Sequence, residues 1–102
     1  MTRPERRAHE RYPARWAAHA HNSDVLLVGA GVVDYSRSGV CLTPSPGTRR
    51  LPKPGDRLEL AIFAHGIGYG VPARGVVRWV GRSDRHGCDG VGVEFETPVE
   101  LG

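Results

Sequence analysis

The chain is poor in cysteine: it has two, Cys41 inside an apolar run and Cys88 in a glycine-rich stretch. Two thiols so placed build no disulfide framework, and both read as reduced thiols of a cytoplasmic protein. Long hydrophobic runs are missing too. None approaches the roughly 20 apolar residues that span a bilayer as a helix, and the opening MTRPERRAHER has no apolar core of the kind a signal peptide requires. Cytoplasmic location is therefore the expectation. No segment sustains helical spacing long enough for a convincing helix, and there is no internal repeat or low-complexity tract. Metal ligands are equally sparse. His19 and His21 share one face of a strand, and His86 and Cys88 share a loop, but neither pair has third and fourth ligands nearby. No nucleophile-elbow pattern surrounds Ser36 and nothing orients a base beside it, so neither a metal nor catalysis is expected.

What remains is a small folded domain with an uneven charge distribution. With 102 residues, 39% hydrophobic and 25% charged, the chain supports one modest core and is too apolar for a disordered tail. The formal net charge of +3 gains meaning from where it lies. Residues 1–15 carry five arginines, Arg3, Arg6, Arg7, Arg11 and Arg15, against Glu5 and Glu10. Four of them fall within RRAHERYPAR, and their planar donor forks suit phosphate oxygens and purine edges better than lysine would. An anionic, nucleotide-sized ligand fits this concentration.

Residues 1–13, with Pro4 and Pro13 and no apolar periodicity, read as a flexible arm with room for one helical turn at Glu5–Glu10. Residues 14–102 read as one β domain. Ala14 to His21 alternates with the two-residue period of a half-buried strand, and Asn22, Ser23 and Asp24 make a turn. Val25 to Tyr35 forms a second strand, in which Gly29 and Gly31 suit a bulge or barrel corner. Further strands are expected at Gly39–Leu42, Leu58–Ile62, Val71–Val80 and Val91–Phe95, with turns at Ser36–Ser38, Pro54–Asp56 and His65–Gly70. Six short strands without a long helix indicate an all-β, antiparallel barrel, since closure removes the exposed edges of a small sheet. Thr97-Pro98-Val99-Glu100 has the capping residues of a helix start.

Two stretches carry a more specific signal. Arg7-Ala8-His9-Glu10-Arg11 is an RxxxR pattern, and Asp34-Tyr35-Ser36-Arg37-Ser38-Gly39 is a DxSxxG pattern at a strand-pair's distance. Together, and with Pro54-Gly55-Asp56, Gly75–Trp79 and Gly90–Phe95 punctuating the later strands, they resemble the PilZ domain over nearly the whole chain. The resemblance implies a six-stranded PilZ-type β-barrel that binds cyclic di-GMP, one or two molecules, and relays the signal to a downstream protein partner. By the same resemblance Arg7 and Arg11 pair with phosphates and the O6/N7 edge of guanine. Asp34 accepts from guanine N–H groups, Ser36 bonds the ligand edge or phosphate, and Gly39 lets the backbone approach. Arg6 reaches a second, intercalated ligand molecule, and Trp79 stacks on a guanine.

Bland readings stand beside these. An arginine-rich terminus is most often a solvated arm, Asp34 and Ser36 serve equally as local caps in a hairpin turn, and Trp79 as barrel core, with Arg78 facing solvent. Two other functions compete: an adaptor of the same fold that acts by protein contacts without nucleotide, and a basic barrel that binds single-stranded nucleic acid through arginines and Trp16 or Trp79.

Overall fold

In the computed structural model of the chain, residues 12–83 and 88–101 are described. Arg6, Arg7 and Arg11, and the helical turn expected at Glu5–Glu10, lie outside them. Six antiparallel strands follow one another: β1 (Tyr12–His21), β2 (Leu26–Ser36), β3 (Gly39–Thr43), β4 (Arg57–Phe63), β5 (Val71–Ser83) and β6 (Cys88–Phe95). They close into a barrel in the order β1-β2-β3-β6-β5-β4, with β1 sealing against β4 through pairs such as Ala18↔Ile62 and Ala20↔Leu60. All six expected strands are present. β1 begins two residues before the alternating pattern does, because Pro13 and Tyr12 already pair with Asp34 and Tyr35 of β2.

Period-two alternation supplies the core. Ala18 and Ala20 of β1, Leu27, Ala30 and Val32 of β2, Val40 and Leu42 of β3 point inward. So do Leu58, Leu60 and Ile62 of β4, Val77 of β5, and Val91, Val93 and Phe95 of β6. Each fully buried Leu, Ile or Val contributes about 1.5–3 kcal/mol by leaving water. Alanines on β1 keep the narrow interior from overfilling.

The turns follow their residues. Asn22 Oδ1 accepts from the amides of Asp24 and Val25, both at 2.8 Å, which is the Asx turn expected of that polar triplet. Gly29, at φ +66°, supplies the left-handed residue of a bulge in β2, where the β1–β2 register slips between Ala18 and Ala20. The Pro54-Gly55-Asp56 turn is tied to β5, since Gly55 N donates to Val77 O and Val77 N donates to Asp56 O.

The tail departs from expectation. Thr97–Glu100 starts no helix among the described residues. Its backbone is claimed by the β2–β3 turn instead: Val99 N donates to Arg37 O at 2.9 Å, and Arg37 Nε meets Glu100 Oε2 at 2.8 Å. Leu101 then inserts into the core at 2% exposure. Burying that leucine and satisfying the turn carbonyl require an extended chain, which a helix beginning at Thr97 would retract. No helix among the described residues is long and apolar enough to cross a membrane.

Candidate functional site

Alternation predicts the wrong face for Asp34. Val32 points into the barrel, so Asp34, two residues on, belongs inside by the strand period. A carboxylate there would be desolvated among Leu and Val side chains. A bulge at Val33 interrupts the alternation: the β2–β3 register slips between Val32 and Asp34, and β1 carries an extra residue of its own between Pro13 and Trp16. The extra residue puts Asp34 on the outer side of β2, where its carboxylate is still covered at 3% exposure. The pairings bear this out, because directly opposed residues share a face: Val32↔Leu42 and Tyr35↔Val40 face in, so Asp34↔Cys41 and Ser36↔Gly39 face out.

The same device recurs on β5. Val77 is fully buried, and alternation would send Trp79 inside after it. A register slip between Val77 and Trp79 turns the indole out instead, where it is 38% exposed. It lies flat on β6, whose Gly90 and Gly92 make room for it. A Cβ at Gly92 would overlap the indole Nε1, and one at Gly90 would stand 3.0 Å from Cη2 of Trp79 and 3.4 Å from Sγ of Cys41. The indole edge and the thiol therefore sit side by side. Trp79 lies across Gly90 and Gly92 on the outer face of β6, not in the barrel core. Arg78 faces solvent as expected and pairs with Glu94 at 2.6 Å.

A single row thus crosses the outer surface: Pro13 on β1, Asp34 on β2, Cys41 on β3, Gly92 on β6 and Trp79 on β5, each paired with the next. Three strand spacings separate Asp34 from Trp79, about 14 Å. Pro13, Cys41 and Gly92 were missed in the sequence because a proline, a lone thiol and a glycine carry no chemical signal; only pairing aligns them.

Asp34 and Ser36 are the buried polar side chains among the described residues, at 3% and 1% exposure. Ser36 Oγ accepts from the Ser38 amide at 3.1 Å, closing the two-residue connection Arg37-Ser38, so the local capping role is occupied. The carbonyl of Ser38 accepts from Phe95 N at 2.7 Å, anchoring the turn to β6. Gly39 is needed for a reason other than ligand approach: a Cβ there would collide with the Val93 carbonyl of β6. Beside this face Tyr35 stacks between Trp16, 4.3 Å between centroids, and Tyr12, 5.6 Å. That stack locks the start of β1 onto β2. Elsewhere His19 and His21 have separate surroundings; His19 Nδ1 accepts from the Gly29 amide at 3.0 Å and its ring meets Phe63 edge-on.

Fold and site define a small closed β-barrel with a buried carboxylate and a buried hydroxyl at one hairpin, beside the strand that follows the arginine-rich residues 6–11 in sequence. Residues 5–102 match the PilZ domain, and the chain belongs to that family. No curated protein sequence matches it. Among solved structures it is similar to the Bacillus subtilis inhibitor of motility, MotI/DgrA, at TM-score 0.74 and 17% identity. That alignment covers 97% of this chain and 46% of the other, so the chain spans about half of that protein and shares its barrel fold.

Proposed function

We propose that this chain is a cytoplasmic receptor for cyclic di-GMP rather than an enzyme, with the nucleotide held between the arginine arm and the outer face of β2, β3, β6 and β5. The bulge at Val33 supports this reading: it pairs Asp34 with Cys41 instead of with the core residues Val40 and Leu42, on the strand that Tyr12 and Pro13 join. Arg11 is one peptide bond before Tyr12, so its Cα is about 3.8 Å from that of a residue paired with Tyr35. Arg7, four residues earlier, is within about 18 Å of Tyr12, a reach comparable to the row itself.

In this arrangement Arg7 and Arg11 neutralise the phosphates and grip guanine O6 and N7 as forks. Asp34 accepts from guanine N–H groups. Ser36 offers its hydroxyl while keeping the Ser38 amide, and Gly39 keeps the turn tight. Trp79 gives a base a stacking surface worth on the order of 1–3 kcal/mol, and Arg6 serves a second, intercalated nucleotide. The ligand holds the arm against the barrel, which changes the surface shown to a protein partner.

Isothermal titration of cyclic di-GMP, with GTP and a short single-stranded oligonucleotide as controls, tests this. Selective binding is expected, with stoichiometry separating one ligand from two. In Arg7→Ala or Arg11→Ala, losing a fork of two charge-assisted bonds removes about 3 kcal/mol, weakening binding on the order of a hundredfold without altering the circular dichroism. Unchanged affinity in both variants refutes the assignment. A folded chain that binds no nucleotide is the adaptor instead, and salt-sensitive oligonucleotide binding without preference for cyclic di-GMP is the nucleic-acid reading.

A further inference from the structure

The barrel is sealed everywhere along β2 except at its beginning. β3 pairs with Gly31 to Ser36, and residues 26–30 are paired only on the β1 side. Beyond Thr43 the chain leaves through Pro44-Ser45-Pro46-Gly47, and Ser45 reaches back to the vacated edge, where its Oγ donates to Val28 O at 3.1 Å. Val28 therefore directs its backbone to the open edge, and so does Leu26, two residues earlier. Their side chains are among the most exposed apolar groups, at 65% for Leu26 and 55% for Val28.

The loop opposite is built, not loose. Thr48 N and Thr48 Oγ1 both donate to Ser45 O, at 3.2 and 2.8 Å, with Gly47 at φ +90° making the turn. The loop and the edge enclose a cleft of about 410 Å³, and no acidic residue lines it. Arg49 and Arg50 stand on its wall, both exposed, and neither forms an ion pair with a described residue. Several other exposed arginines have partners, as Arg74 does in Glu59 and Arg78 in Glu94.

A strand edge with no neighbouring strand, flanked by apolar side chains and held by one side-chain bond that a peptide can displace, is a template for another strand, and two guanidiniums beside it without ion-pair partners select for carboxylates. We infer that the Leu26–Gly29 edge of β2 docks an extended acidic peptide of a partner protein by strand addition. Apolar residues of that peptide lie beside Leu26 and Val28, and carboxylates at alternate positions lie against Arg49 and Arg50. A second copy of this chain fits poorly, because it would bring two arginine pairs into one interface. The cleft is about 20 Å along β2 from Asp34, so peptide and nucleotide occupy separate surfaces, and this docking stands or falls independently of cyclic di-GMP.

The test is amide-resolved NMR of the whole chain titrated with the synthetic peptide Thr-Val-Glu-Val-Glu-Val-Thr, capped at both ends. Controls carry lysine for both glutamates, or proline for the central valine. Saturable shifts at residues 26–29 and 45–50 are expected, weakened about tenfold or more in the Arg49→Glu/Arg50→Glu variant and with the lysine peptide. The proline peptide loses binding because it cannot complete the ladder. These substitutions sit on exposed, unpartnered side chains, and an unchanged melting temperature establishes that the variant is folded. The inference is overturned if no shift appears up to about 1 mM peptide, or if the proline peptide binds equally well. It is also overturned if the chain sediments as a dimer dispersed by the arginine variant, or if it binds phosphatidylglycerol vesicles through these arginines while ignoring the peptide.

Discussion

Gly92→Ala tests the outward placement of Trp79. The added methyl falls on the indole Nε1, so the ring must leave its seat on β6, while the β6 backbone, paired on both sides, has no reason to move. Trp79 is 38% exposed, which leaves about 150 Å² of a roughly 250 Å² side chain covered. At about 25 cal/mol/Å², complete loss of that cover would cost about 4 kcal/mol. A displaced indole re-covers part of it on neighbouring surface, so a loss of about 1–2 kcal/mol is expected. The more direct readout is Cys41, now 3% exposed beside the indole edge. In a Cys88→Ser background its reaction with a disulfide reagent is expected to accelerate about tenfold or more once the indole has left its seat, and Trp79 emission shifts to the red. Thiol reactivity is compared with Trp79→Ala, which removes the indole directly, and the emission of that variant, from Trp16 alone, is subtracted to isolate the Trp79 signal. If Gly92→Ala leaves thiol reactivity and emission as in the parent, the indole does not lie across Gly92 and the outer-face row is wrong.

Gly39→Ala drives a methyl into the Val93 carbonyl, a backbone atom that cannot rotate away; a loss of about 2–4 kcal/mol in urea unfolding is expected. Asn22→Ala removes the acceptor for two amides and the donor to Arg57 O, costing about 1–2 kcal/mol by the same assay. Arg78→Ala breaks a 2.6 Å contact with Glu94, yet both groups are more than half exposed, so stability falls by less than about 1 kcal/mol and the loss shrinks further in high salt.

The sequence was informative wherever local chemistry decides local structure. Val, Leu and Ile at every second position state which face is buried, and Leu58, Leu60 and Ile62 kept that promise. Asn22 to Asp24 announced its turn because the side chain itself makes the bonds. Gly29 announced a bulge because only glycine takes its φ cheaply. The Thr97 capping residues misled for the opposite reason: the segment's fate lay with the Arg37 carbonyl and a core space for Leu101, both distant in sequence.

The candidate site divides along the same line. The residue types and spacing of DxSxxG are legible, and so is a nearby cluster of arginines. Which way Asp34 and Trp79 face is not, since period two points both inward after Val32 and Val77. The bulges that reverse them leave no mark at Val33 or Arg78, neither of which is glycine. They arise because strands closing a barrel must keep register with two neighbours at once, and the mismatch is relieved one residue at a time. By itself the chain determined which residues are apolar, where it turns, and which groups can meet a phosphate or a base. The closure of β1 onto β4 and the slips of register at β2 and β5 decided that Asp34, Cys41 and Trp79 share one outer face.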